Sequence, residues 1–116
     1  MKTYRELIVW QKSMELVTKS YKIFTDFPKE EVFSLTSQLK RSIVSVPSNI
    51  AEGYGRDSKK EYVRFLYIAI SSLFEYQTQI EIAYNLEFYT KEKFNNLFED
   101  SREIERMLSS LIRKLK

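Results

Sequence analysis

An all-α chain folded as an up-down-up-down four-helix bundle is the expectation here, and three observations carry it. Only 2 glycines and 2 prolines occur in 116 residues, too little turn-forming material for an all-β fold. Apolar residues recur at alternating steps of three and four through four long stretches, the rhythm of a helix with one buried stripe. The connections between those stretches are short, which makes successive helices antiparallel neighbours. A chain of this length carries one hydrophobic core. It is therefore read as a single domain over 1–116, with helices expected at roughly 4–25, 28–53, 58–87 and 90–115.

Thr3-Tyr4-Arg5-Glu6 reads as a capping box that opens the first helix, hydroxyl and carboxylate each taking a free backbone N–H. Leu7, Trp10, Met14, Val17, Tyr21 and Phe24 follow on one seam. Asp26-Phe27-Pro28 breaks the pattern. Proline suits a first helical turn and the helix dipole favours anions there, so Pro28, Glu30 and Glu31 are expected to start the second helix. Its seam is Val32, Leu35, Leu39, Ile43, Val46 and Ile50, and it runs straight through Pro47. The missing N–H of Pro47, and its ring's clash with the Ile43 carbonyl, predict a kink. A second, polar seam of Gln38, Ser42, Ser45, Asn49 and Glu52 is either a solvated face or a set of groups bonding to a neighbouring helix. Asn49 is expected to be buried and hydrogen-bonded beside Pro47. Gly53 and Gly55 are expected to stop the helix by adopting the left-handed conformation that glycine takes without steric cost.

Ser58-Lys59-Lys60-Glu61 is a second capping box and opens the third helix. Tyr62, Leu66, Ala69, Leu73, Tyr76, Ile80 and Ala83 mark its buried face. Val63, Phe65, Tyr67, Ile68, Ile70 and Phe74 add apolar groups around much of the rest of its circumference. One stripe suffices for a bundle helix, so this surplus predicts an oligomer interface, assigned to Val63, Tyr67, Ile70 and Phe74. Thr90 is the expected N-cap of the fourth helix. Phe94, Leu97, Ser101, Ile104, Leu108, Leu111 and Leu115 continue the rhythm with one polar lapse, and Arg113, Lys114 and Lys116 suit the negative end of the dipole.

Composition narrows the chemistry. The chain has no cysteine and no histidine, which removes thiolate chemistry, disulfides, and the commonest metal ligand and near-neutral base. Glu52, Glu61, Glu75 and Glu81 could converge as carboxylate ligands. Carboxylate di-metal bundles, however, draw on Glu-x-x-His pairs, so no metal or other cofactor is expected. Ser42, Ser45, Ser48, Ser71 and Ser72 have no partner base, and Tyr54-Gly55-Arg56 has too few glycines for a phosphate-cradling loop. No catalytic residue is therefore expected, and the chain is read as non-enzymatic. The N-terminal stretch lacks an apolar run of signal-peptide length. The most apolar run, Phe65 to Phe74, falls short of the roughly 20 residues that cross a membrane. A cytoplasmic protein without a membrane partner is the expectation.

What remains is charge. The formal net charge is +3, permitting an anionic partner without demanding one. Lys40, Arg41, Arg56, Lys59, Lys60 and Arg64 cluster in sequence around Tyr54 and Tyr62, a pairing of cations and rings that suits phosphates and unpaired bases. Asp57 and Glu61 dilute the cluster, and lysines on an exposed helix also serve solubility alone.

The stretch SVPSNIAEGYGR from Ser45 to Arg56 is the most distinctive in the chain. With it go Leu7-Ile8-Val9-Trp10-Gln11, Phe27-Pro28-x-x-Glu31, Gln38-Leu39-Lys40-Arg41, Phe65-Leu66-x-Ile68-Ala69 and Ser72-Leu73-x-Glu75. On these residues the chain resembles the bacterial four-helix-bundle family of 23S rRNA intervening-sequence proteins, to which accessory proteins of diversity-generating retroelements are related. The resemblance implies a left-handed bundle assembled as a ring-shaped homopentamer, a biochemical role undefined for most members, and no catalytic residue. It also implies association with nucleic acid, and in the retroelement relatives with a reverse transcriptase. Asn49, Glu52 and Gly53 carry over as structural determinants beside Pro47, with Glu75 as a partner across helices. Lys40, Arg41 and Arg56 match basic positions of the family pattern, whereas Lys59, Lys60 and Arg64 follow from charge placement. The expected function is a non-enzymatic oligomer that binds RNA or DNA with little sequence preference. The alternative is a scaffold that recruits another protein, such as a reverse transcriptase, with no direct nucleic-acid role.

Overall fold

The computed structural model describes residues 3–116. Among them are four α-helices and no strand: α1 (Ile8–Phe24), α2 (Leu35–Tyr54), α3 (Lys59–Asn85) and α4 (Lys91–Leu115), with short 3-10 turns at Tyr4–Glu6 and Lys29–Glu31. Each helix packs on two neighbours, α1 on α2, α2 on α3, α3 on α4 and α4 on α1. The result is a four-cornered bundle of 43 × 25 × 20 Å. The α1–α2 and α3–α4 loops share one end, hereafter distal, where Phe27 packs on Phe88 and Tyr89 with ring centroids 5.6 and 5.1 Å apart. The α2–α3 loop marks the other, proximal end. No helix among the described residues is long and apolar enough to cross a membrane.

The core is built from the expected seams of α2 and α3. Leu39, Ile43, Val46, Ile50, Leu66, Leu73 and Ile80 have no exposed surface. On α4 the buried residues are Leu97, Ser101, Ile104, Leu108 and Ile112, so the stripe ends on Ile112 while Leu111 and Leu115 are half-buried. Ser101 is not an unsatisfied lapse: its hydroxyl donates to the Phe98 carbonyl at 2.6 Å and accepts from Gln77 Nε2 at 3.1 Å.

On α1 the buried face is not the expected one. Val9, Ser13, Leu16, Ser20 and Phe24 point inward, while Met14 and Tyr21 are exposed. Apart from Phe24, the seam sits one residue earlier than the apolar pattern suggests, a rotation of about 100° about the helix axis. The two serines explain why. Ser13 Oγ satisfies itself on the Val9 carbonyl at 2.7 Å, and Ser20 Oγ meets the Tyr76 hydroxyl at 2.6 Å across the core. Both are small enough to seat α1 closely, and a hydrogen-bonded hydroxyl can be buried without penalty.

Several expected boundaries and turns also move. The Thr3 box is present, with Thr3 Oγ1 accepting from the Arg5 N–H and Glu6 accepting from the Thr3 N–H, but it caps the 3-10 turn Tyr4–Glu6, and α1 begins only at Ile8. Buried Phe27 turns the chain, so Pro28 opens the 3-10 turn Lys29–Glu31 and α2 starts at Leu35, leaving Val32 exposed. Glu31 still serves a helix start, its carboxylate accepting from the Leu35 N–H at 3.3 Å. Of the Ser58 box only half forms: Ser58 Oγ takes the Glu61 N–H at 3.0 Å, while the Glu61 carboxylate turns to Arg64.

Neither glycine adopts the expected left-handed conformation. Gly53 lies inside α2, and Gly55 caps it with right-handed helical angles. A Cβ on Gly53 would stand 2.6 Å from Phe65 Cβ and 3.2 Å from Tyr62 Cδ1, so glycine is there to let α2 and α3 touch. The one positive φ among the described residues belongs to Glu87, at 64°. There the Phe88 N–H returns to the Ala83 carbonyl and the Glu87 N–H to that of Tyr84, the paired bonds of a Schellman stop.

Candidate nucleic-acid interface

The polar seam of α2 faces α3. Ser42 Oγ donates to Gln79 Oε1 at 2.8 Å, and Gln79 Nε2 reaches Gln38 at 3.4 Å and Glu75 at 3.5 Å. Glu75 is thus linked to α2 through Gln79, a residue that nothing in its sequence surroundings singles out. One turn along, Ser72 Oγ donates to Ser45 Oγ at 2.9 Å, and half-buried Asn49 donates to the Ser45 hydroxyl and carbonyl at 2.9 and 2.8 Å. These bonds flank Pro47, which lies buried within an unbroken α2. The ladder therefore fixes how α2 and α3 meet, and so where the α2–α3 loop presents its cations.

At that loop the two arginines are held rather than loose. Arg56 lies 4.7 Å and Arg64 4.6 Å from the ring centroid of buried Phe65. Phe65 belongs to the outward surplus on periodicity alone, but it is the ring on which two guanidiniums rest. Glu52 takes Arg56 Nη2 at 3.1 Å, and Glu61 takes Arg64 through Nε and Nη2 at 3.1 and 3.0 Å. The hydrogen bond from Arg64 holds the Glu61 carboxyl below its ordinary value, and the same bond raises Arg64. Each guanidinium has five N–H donors, so both keep donors for a further oxyanion after these pairings. Lys59 and Lys60 are exposed on the first turn of α3 and form no salt bridge among the described residues.

The expected cluster divides in two. Lys40 and Arg41 sit early in α2, about 20 Å along the helix from Tyr54, and Lys40 rests over the Tyr21 ring at 4.9 Å. They belong to the distal half and do not join Arg56, Lys59, Lys60 and Arg64. Tyr54 and Tyr62 stay with the proximal group, half-buried and packed edge to face at 6.0 Å. Burial, with Tyr54 beside it, raises the Tyr62 hydroxyl above its ordinary value. These rings serve packing at the Gly53 contact more than open stacking. Among the described residues, no group of three or more acidic side chains is gathered where it could hold a metal ion.

The four interface candidates lie along the α3–α4 side. Lys116 Nζ donates to the Tyr67 hydroxyl at 3.1 Å and Gln77 reaches Ser101, which orients the stripe between them toward α4. Tyr67 and Phe74 are each 47% exposed, whereas Val63 and Ile70 are half-buried against the core. On the opposite, α1–α2 side runs an open apolar groove lined by Trp10, Met14, Val17, Val44, Pro47 and Ala51. It exists because α1 is rotated, and no stripe count on a single helix would have found it.

The model of the 23S rRNA-intervening sequence protein family matches residues 5–110. The chain belongs to that family. The match takes in the Ser45–Arg56 stretch and all six expected cations, while Arg113, Lys114 and Lys116 lie beyond it. A crystal structure of a protein of unknown function from the S23 ribosomal protein family of Bacteroides thetaiotaomicron superposes with a TM-score of 0.82 at 28% identity, covering 90% of this chain and 98% of that one. No curated protein matches the chain. Membership of the 23S rRNA-intervening sequence protein family thus rests on most of the sequence and on the fold together.

Proposed function

We propose that this chain is a non-enzymatic, oligomeric protein that binds RNA or DNA through phosphate contacts with little sequence preference. The observation that carries this is the proximal surface. Lys59 and Lys60 are exposed and, among the described residues, unpaired by carboxylates, beside Arg56 and Arg64, whose guanidiniums are pre-positioned on Phe65. A rigid guanidinium with spare donors is suited to a phosphate oxygen, and the lysines supply charge without geometric demand. Cations that engage phosphates carry no base information, in keeping with sequence-tolerant binding.

Assembly is part of the proposal. Two unlike apolar surfaces lie on opposite sides of the bundle, the Tyr67–Phe74 stripe and the Trp10–Met14–Val44 groove. Unlike patches that meet between copies give a head-to-tail contact, which closes into a ring when the rotation per subunit permits. The ring-shaped homopentamer implied by the sequence resemblance is such an arrangement, and it would repeat each proximal surface around one axis.

The test is binding of a labelled single-stranded RNA at rising salt. The logarithm of affinity is expected to fall linearly with log salt, by about 0.7 per phosphate engaged. Lys59→Glu with Lys60→Glu should weaken binding roughly tenfold or more by removing cations and adding repulsion. Affinity indifferent to both overturns the proposal. A protein partner retained after nuclease treatment would then support the scaffold reading, for which the groove between α1 and α4, lined by Leu7, Ile8, Met107 and Leu111, offers a surface.

A further inference from the structure

The modest net charge conceals an uneven distribution of charge along the bundle. With the Arg56–Glu52 and Arg64–Glu61 pairs set aside, the proximal end carries Arg5, Lys59, Lys60, Arg113, Lys114 and Lys116 against Glu6 and Asp57. Towards the distal end stand Asp26, Glu30, Glu31, Glu81, Glu87 and Glu92 against Lys22, Lys29, Lys40, Arg41, Lys91 and Lys93, so that opposite charges balance there. The chain brings its last helix back antiparallel to α3, so the C-terminal turn of α4 stands beside the N-terminal half of α3. Lys116 bonding to Tyr67 shows the register. Arg113 and Lys114 are on the last turn of α4 and form no salt bridge among the described residues.

From this uneven distribution we infer that the phosphodiester backbone meets the bundle end-on. Its binding surface joins the α2–α3 loop to the last turn of α4, through Arg113 and Lys114, and excludes Lys40 and Arg41. The inference rests on the function proposed above and specifies which face performs it. The physical reason is that a polyanion responds to the summed field over its own length, not to single pairs. At the proximal end the cations outnumber the carboxylates beyond the neutralised pairs, so the net charge there is positive. Lys40 and Arg41 lie in the half where carboxylates balance the cations, and a strand reaching them would also approach Glu30 and Glu31. The balanced charge of the distal end gives a strand no net attraction, which leaves the proximal face foremost.

The experiment compares the intact chain with two charge-neutral doubles, Arg113→Gln/Lys114→Gln and Lys40→Gln/Arg41→Gln, in binding single-stranded RNA between about 50 and about 200 mM salt. Folding is checked by helical circular dichroism and solution mass. The α4 double is expected to reduce the salt slope by about 0.7 for each phosphate it no longer engages, and to weaken binding several-fold at the lower salt. The α2 double should leave slope and affinity within about twofold of the intact chain. The reverse pattern, or equal weakening by the two doubles, overturns the end-on surface while leaving nucleic-acid binding standing. No salt-dependent binding by the intact chain overturns both.

Discussion

Gly53 is where the sequence constrains the structure most tightly at the level of one residue. Its missing side chain lets α2 approach α3 until a Cβ would lie 2.6 Å from Phe65 Cβ, an atom fixed to the backbone and unable to swing aside. Gly53→Ala is therefore expected to push the helices apart and cost about 1–3 kcal/mol, the range for overpacking a filled interior. Gly55→Ala, whose new Cβ would find its nearest neighbour at an ordinary 3.6 Å, should change stability by less than about 0.5 kcal/mol. Urea midpoints of the two variants check this, and equal shifts would contradict the close-contact role of Gly53. The same contact orders the site, because Phe65 is the ring on which Arg56 and Arg64 rest. Why a glycine stands here is not legible from the chain alone. Left-handed turns and close packing both select glycine, and only the helix that crosses it tells them apart. The left-handed position falls instead to Glu87, where no residue type announces it.

At the scale of elements, α3 and most of α2 follow their apolar periods, because buried aliphatic residues at steps of three and four admit one inward face. α1 does not, because large apolar groups occupy two adjacent stripes and the inward one is completed by Ser13 and Ser20. A serine in a core is readable only once its partner is known, and for Ser20 that group is Tyr76, 56 residues away. Tyr76 consequently ties the rotation of α1 to a testable pH response. Burial is the largest influence on its hydroxyl and raises it well above the ordinary 10.0, the Ser20 bond opposing this only in part. The stability contributed by neutral Tyr76 is complete below the unfolded value near 10 and is lost as pH climbs from there toward the folded value. The loss is about 1.4 kcal/mol per pH unit for this one group. Denaturant titrations from neutral pH to about pH 11 should show that decline in the intact chain and a shallower one in Tyr76→Phe. Identical slopes would place Tyr76 in contact with water and remove the anchor for the observed face of α1. The cations that sequence proximity groups into one cluster are likewise split by geometry. Spacing keeps Arg56, Lys59, Lys60 and Arg64 together at the α2–α3 loop and the start of α3, but a helix of 20 residues carries Lys40 and Arg41 to the other half.

At the scale of the whole molecule, two properties bear on the proposed assembly. One is apolar surface on opposite sides, with Tyr67 and Phe74 each 47% exposed on one and Met14 42% exposed on the other. The other is the excess of cations at the proximal end, where Lys59 and Lys60 are exposed. Assembly would cover the first and multiply the second, since each added subunit engages further phosphates and affinity rises with their number. The family membership and the fold are legible in the sequence because the Ser45–Arg56 stretch and the helical periods are local features of the chain. The proposed end-on surface is not, because it draws on α4 residues that only the antiparallel return of α4 along α3 brings to the proximal half. The central claim is that assembly and nucleic-acid binding depend on one another, and sedimentation velocity combined with RNA affinity on the same samples tests it most directly. The intact chain is expected to sediment as a discrete assembly near five times its 13.9 kDa mass and to bind RNA with steep salt dependence. Phe74→Glu should yield folded single subunits whose affinity falls at least about tenfold, because one subunit engages fewer phosphates than the assembly. An intact chain that sediments at 13.9 kDa, or a Phe74→Glu monomer that binds RNA as tightly as its parent, would contradict the account.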